Sequence, residues 1–216
     1  MAPWPFRPRP EVERRAGRVE RLAVDSELLK GNRLGDSPRR ELAVYLPPGY
    51  DEEPGRRYPV AFYLAGFLGS GESQLNWKPF AETLPQRLDR LISEGSVGPI
   101  ILAFPDCFTR LGGSQYVDSS VCGPYARHMV EELVPLVDRS FRTAAGRDHR
   151  GILGKSSGGF GAMIHGMLHA GTWGAIACHS GDSYFDFCFG AELPRTIAEV
   201  GRHGSVAAFL EAFDGR

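Results

Sequence analysis

Lysine is almost missing from this chain: three stand against 22 arginines, a bias that reflects codon composition rather than chemistry. Long hydrophobic runs are missing too. None approaches 18 apolar residues, so no membrane-spanning helix is expected. Neither sign of charge is in surplus, since 25 basic and 26 acidic residues leave −1. Binding a polyanion by counterion release needs a basic excess, so no nucleic-acid partner is expected. The four cysteines, Cys107, Cys122, Cys178 and Cys188, contain no C-x-x-C pair. That removes the usual zinc and thioredoxin patterns, and they read as half-buried thiols of a reducing, cytoplasmic protein. The opening MAPWPFRPRPEVERRAG has no apolar core segment and does not read as a secretory leader. Residues 1–17 are expected to be a solvated tail. What is present is ordinary for a globular chain: 216 residues, 42% hydrophobic and 24% charged. Residues 18–216 are read as one domain.

Along the chain, strand-like and helix-like segments alternate. Arg18 to Leu29 and Glu41 to Leu46 read as two early strands joined by a short Gly-containing loop, forming an antiparallel lead-in. Tyr58 to Ala65 and Pro99 to Phe104 are nearly all apolar, the mark of strands buried on both faces. Pro79 to Ser93 reads as helical despite Pro85. Pro124 to Arg139 is an amphipathic helix with Tyr125, Met129, Val130, Leu133, Val134 and Val137 on one stripe, and Pro135 is expected to kink it. A strand at Arg150 to Lys155, a small-residue helix at Ser157 to Ala170 and a strand at Trp173 to His179 follow. Weaker helices lie around Ile197 and from Val206 to Phe213. Buried strands alternating with helices give the α/β class with a mostly parallel sheet flanked by helices.

Gly154-Lys155-Ser156-Ser157-Gly158 fits G-x-S-x-G. An apolar strand runs into it and a helix of small residues runs out of it, the strand-turn-helix of a nucleophile elbow. Such an elbow holds its serine in a strained backbone so that the hydroxyl projects above the sheet edge. Side chains at Gly154 and Gly158 would collide with the neighbouring strand and helix. A phosphate-binding loop is the competing reading of GKSSGG, but its first glycine would fall at His149. Ser156 is therefore the expected nucleophile. The oxyanion hole needs two amides, one from Ser157 and one from a loop after an earlier buried strand. The run Ala65-Gly66-Phe67-Leu68-Gly69 supplies the second through Phe67, with Gly66 letting the chain turn. Asp106 and Gly112 to Tyr116 also lie beyond strand ends, where ligands bind in open α/β sheets. Pocket lining and plain loop structure are both open for them.

The runs ELAVYLPPGYDEEPGRRYPVAFYLAGFLGSG, PDCFTRLGGSQY and GILGKSSGGFGAM, in this order, resemble the putative-esterase family of α/β-hydrolases, which includes esterase D and enterochelin esterase-like enzymes. The resemblance implies a serine esterase acting on a small-molecule ester or thioester through an acyl-enzyme on Ser156, with Phe67 and Ser157 as oxyanion donors. It implies no metal and no cofactor. An acyl transferase of the same fold, or an inactive protein that keeps the pocket for binding, are the alternatives.

The family's triad runs serine, acid, histidine, and here only 60 residues follow Ser156. One parallel strand is counted after the elbow where the family has three. The sheet is thus expected to lack its last strands, with acid and base beyond Arg216. Inside the chain, His179 is the one histidine at the correct sheet edge, and Asp182 is an acid placed after that strand. His128, His149, His165, His169 and His203 lie on the wrong elements. A terminal strand apolar on both faces, with no charge inside it, predicts an open edge, loosely packed tail helices and self-association.

Overall fold

Six strands form one sheet: β1 (Arg18–Asp25), β2 (Arg39–Leu46), β3 (Val60–Leu64), β4 (Ile101–Pro105), β5 (Arg150–Lys155) and β6 (Ala175–His179), in the spatial order β1-β2-β4-β3-β5-β6. This architecture comes from a computed structural model that describes residues 16–212. The expected tail therefore lies almost wholly outside the described residues, as does Phe213. β1 pairs antiparallel with β2 along its full length, and β2 is antiparallel to β4. β3, β4, β5 and β6 run parallel. The two early strands are thus the antiparallel lead-in, and the doubly buried runs are the central parallel strands.

Side-chain alternation gives the sheet two core faces. On one, Phe62, Leu64, Ile101 and Ile152 pack with Met129, Leu133, Val137 and Ala162. On the other, Tyr45, Ala61, Leu102 and Phe104 meet Leu84, Leu88 and Ile92. That trio is one stripe of α1 (Leu84–Ser93). Met129, Leu133 and Val137 belong to α2, a continuous rod of Tyr125–Arg127, a π-helical turn at His128–Leu133 and Val134–Ser140.

Four local expectations need correction. The helix expected from Pro79 begins at Leu84, because Thr83 and Gln86 form a reciprocal capping box and Pro85 sits in the first turn, where its missing N–H costs nothing. In α2 the disturbance around Pro135 takes the form of a wider turn directly before it, with Val134 N–H donating to Met129 O five residues back. Trp173 is not part of the last strand. It fills the core edge-on against Phe62 at 5.3 Å, and β6 starts at Ala175. The thiols are not uniformly half-buried: Cys107 is buried, Cys122 partly so, and Cys178 and Cys188, on and beyond the marginal strand, are exposed and unpaired.

β6 lies at the sheet margin with all five residues exposed. The helices after it, α4 (Phe185–Cys188), α5 (Leu193–Arg202) and α6 (Val206–Ala212), contain no buried residue. Both features match the expected open edge, although α4 itself has no sequence counterpart. Among the described residues no helix is long and apolar enough to cross a membrane.

Candidate active site

The site forms where β5 gives way to α3 (Ser157–Leu168). Ser156 stands between them at φ 56°, ψ −123°, a region that costs a non-glycine residue on the order of 1–3 kcal/mol and persists only when neighbours over-determine it. The neighbours are identifiable. Ser156 N–H donates to His179 O on β6 at 3.0 Å, and Ser156 O accepts from Phe160 N–H at 2.9 Å. A side chain on Gly154 would meet Gly158 C at 2.5 Å, and one on Gly158 would meet Leu64 O at 2.1 Å. The elbow is therefore pressed against the C-terminal end of β3, and the strain is held by backbone contacts that only glycines allow. Ser157 opens α3, so its N–H has no intrahelical acceptor.

The loop after β3 reaches the same place. A Cβ on Gly66 would lie 3.7 Å from Ser156 Cβ and 3.6 Å from Lys155 O. This puts Ala65, Gly66 and Phe67 beside the serine. It also corrects the reason offered for the glycine. Gly66 does not have a positive φ, and those distances are ordinary contacts, so the turn does not demand glycine. The turn is closed instead by Gly69 N–H donating to Gly66 O.

The open choice for Gly112 to Tyr116 resolves toward support of that loop. Gly113 N–H donates to Phe67 O at 2.7 Å, and the buried Tyr116 hydroxyl donates to Ala65 O at 2.8 Å. Burial pushes the Tyr116 phenol up, keeping it a neutral donor. Gln115 and Tyr116 both adopt positive φ, 58° and 59°, to present these groups. His165, on α3, contacts Tyr116 O at 2.9 Å through Nε2. Burial pushes its pKa down to about 4. Asp106 faces Arg40 at 3.6 Å and accepts from Phe108 N–H, which makes it a brace of its own loop.

Two acceptors decide what the serine can do. Ser156 Oγ donates to Asp182 Oδ1 at 3.3 Å, and Ser157 Oγ donates to Asp182 Oδ2 at 3.0 Å. Ser157 thus turns its hydroxyl to the same carboxylate as Ser156. Among the described residues no histidine ring hydrogen-bonds Ser156. His179 gives the elbow its carbonyl, not its ring, which lines a groove with Tyr63 and Leu153 on the α1 side of the sheet. His128, on α2, is fully buried and contacts Glu132 at 2.5 Å. His203 lies 3.7 Å from Glu199 on α5.

Residues 37–188 match the sequence profile of the family described as "Putative esterase". The chain belongs to that family. Within it, the chain is 31% identical over 167 residues to an esterase of Mycobacterium tuberculosis, covering 73% of this chain and 34% of the relative. It is 26% identical over 144 residues to an endo-1,4-beta-xylanase/feruloyl esterase of Xylanibacter ruminicola, covering 65% and 19%. Among solved structures, a ferulic acid esterase superposes with TM-score 0.65 at 23% identity, over 77% of this chain and 60% of that one. An S-formylglutathione hydrolase from Agrobacterium tumefaciens gives 0.57 at 22%, over 76% and 58%. At those identities the superpositions establish the α/β-hydrolase fold. The chain spans about a third of one of these curated relatives, a fifth of the other, and about three fifths of these solved structures.

Proposed function

We propose that this chain carries the nucleophile and oxyanion hole of a serine esterase for small-molecule esters or thioesters, with the acyl group passing to Ser156. The observation that carries the reading is the strained elbow: Ser156 at φ 56° between Gly154 and Gly158, pressed onto the end of β3. The Ser156 hydroxyl oxygen attacks the ester carbonyl, the carbonyl oxygen takes the negative charge, and the alcohol or thiol leaves with a proton. Phe67 N–H, on the loop braced by Gly113 and Tyr116, and Ser157 N–H, at the start of α3, are assigned to that oxygen. An aromatic acyl group, as in the ferulic acid esterase, is one substrate class to try first.

No imidazole stands ready to take the Ser156 proton among the described residues, so both acylation and deacylation by this chain are expected to be slow. Four unpaired thiols are in keeping with a reducing, cytoplasmic setting, and the open β6 edge favours self-association. The test is to trap the intermediate. After incubation with p-nitrophenyl acetate, mass spectrometry of the denatured chain should find one acetyl group, absent from Ser156→Ala. Equal acetylation of both proteins would refute the assignment.

A further inference from the structure

Asp182 is the feature that an ordinary hydrolase elbow does not explain. Its two oxygens are divided between the attacking hydroxyl of Ser156 and the hydroxyl of Ser157, whose N–H is assigned to the oxyanion. The loop that carries Asp182 is tightly fixed there. Ser180 and Tyr184 on either side adopt positive φ, 49° and 52°. Gly181 packs so close to Gly159 of α3 that a Cβ on Gly159 would stand 2.8 Å from Gly181 Cα. The backbone that carries the carboxylate is therefore held beside the elbow, and the two serine hydroxyls orient its oxygens.

This placement has an electrostatic consequence. A fixed negative charge sits beside the position where the carbonyl oxygen acquires its own, and it opposes what the two amides stabilise. Asp182 forms no ion pair among the described residues, so the protein itself does not cancel the charge. Two residues on, an aromatic group begins: Tyr184 and Phe185 are exposed, and Phe185 stacks edge-on with Phe160 of α3 at 5.4 Å and beside Phe189 at 5.4 Å. Phe160 lies one helical turn beyond Ser156. A Cβ on Gly181 would stand 2.8 Å from Phe160 N, so this aromatic group borders the loop that carries the carboxylate, a surrounding that favours an organic cation.

We propose that Asp182 is a specificity-determining residue that selects esters carrying an ammonium or quaternary ammonium group close to the scissile carbonyl. On binding, the cation pairs with Asp182 and removes its repulsion of the oxyanion. A neutral ester leaves that repulsion in place, and a carboxylate-bearing ester adds to it. The proposal rests on the assignment of Ser156 as nucleophile.

The experiment uses the whole chain and two aryl trifluoromethyl ketones of equal shape, one with a trimethylammonium and one with a tert-butyl group, titrated by calorimetry. A matched pair of fluorophosphonates, one ammonium-tailed and one neutral, is followed by mass spectrometry alongside. The cationic ketone should bind about tenfold tighter or better, the effect of one partly desolvated ion-pair and cation–π contact, and Asp182→Asn should bring the ratio close to one. A purely structural role for Asp182 would weaken both ketones together and leave the ratio unchanged, which overturns the proposal. So does equal binding of the two ketones by the wild-type chain. If the cationic preference and its loss in Asp182→Asn are seen while neither phosphonate labels Ser156, recognition by Asp182 stands and the nucleophile assignment fails.

Discussion

Replacing Gly158 by alanine isolates the physical claim that the elbow is held by backbone contact. The added Cβ would stand 2.1 Å from Leu64 O, 2.6 Å from Leu64 C and 2.8 Å from Ala65 O. All three atoms are main chain at the end of β3, so no side chain can swing aside and the two segments must part. Overpacking of this kind costs about 1–3 kcal/mol, and with only backbone to yield the upper end applies. For a chain of this size each kcal/mol lowers the melting temperature by about 2–4 °C, so a drop of roughly 6–12 °C is expected. Ala65 also leads into the loop that carries Phe67, the proposed oxyanion donor. The same displacement should therefore slow phosphonate labelling of Ser156 by on the order of 100-fold, as misplacement by about 1 Å can do. Gly66→Ala is the matched control, because its Cβ meets Lys155 O and Ser156 Cβ at 3.6 and 3.7 Å, ordinary contact distances. It should melt within about 2 °C of wild type or slightly above it. Melting followed by circular dichroism, with labelling at matched temperature, reads both. If Gly158→Ala melts with wild type and labels at the wild-type rate, the account of the elbow is wrong.

Three further outcomes follow from neighbouring observations. His165 is buried with Nε2 on Tyr116 O and Nδ1 without a partner, and its pKa is held at about 4, below the ordinary 6.5. The unfolded chain takes up this proton at higher pH than the folded one, so the stability His165 contributes is complete above pH 6.5. It is lost between about 6.5 and 4, by about 3 kcal/mol at most; urea unfolding of wild type and His165→Gln across that window checks it, the variant lacking this component of the slope. Tyr116→Phe leaves Ala65 O without its buried donor, which should cost about 1–2 kcal/mol and slow Ser156 labelling, and unchanged labelling would remove Tyr116 from the support of the oxyanion loop. Sedimentation velocity should show association that weakens when a lysine is placed in the exposed strand at Ala177, whereas a monomer at all concentrations would show that the β6 edge is not sticky.

How much of this was legible in the sequence depends on the range over which each feature is written. β3 and β4 are runs of apolar residues because both faces are covered, and such runs are visible without any partner. β5 was bounded correctly at both ends because the glycines of the elbow mark its end. Thr83-Leu84-Pro85-Gln86 carries a readable capping signal, which places the helix start at Leu84 rather than Pro79. Trp173 reads as part of the last strand because composition does not distinguish a core plug from a strand residue. Asp182 was visible only as an acid at a plausible place. Its contact with both serines is made 25 and 26 residues away and is set by the pairing of β5 with β6 and by the Gly159–Gly181 approach. No local pattern encodes it. The brace from Tyr116 to Ala65 spans 51 residues and was equally hidden.

The central claim is that Ser156 is the nucleophile. It is tested most directly by peptide-level mass spectrometry of the chain after treatment with a fluorophosphonate, with and without added imidazole to act as the proton acceptor that no described histidine provides. The account predicts a single adduct, on Ser156, formed faster as imidazole rises and absent from Ser156→Ala. An adduct on Ser157, Ser70 or Ser114, or labelling that survives in Ser156→Ala, would contradict it.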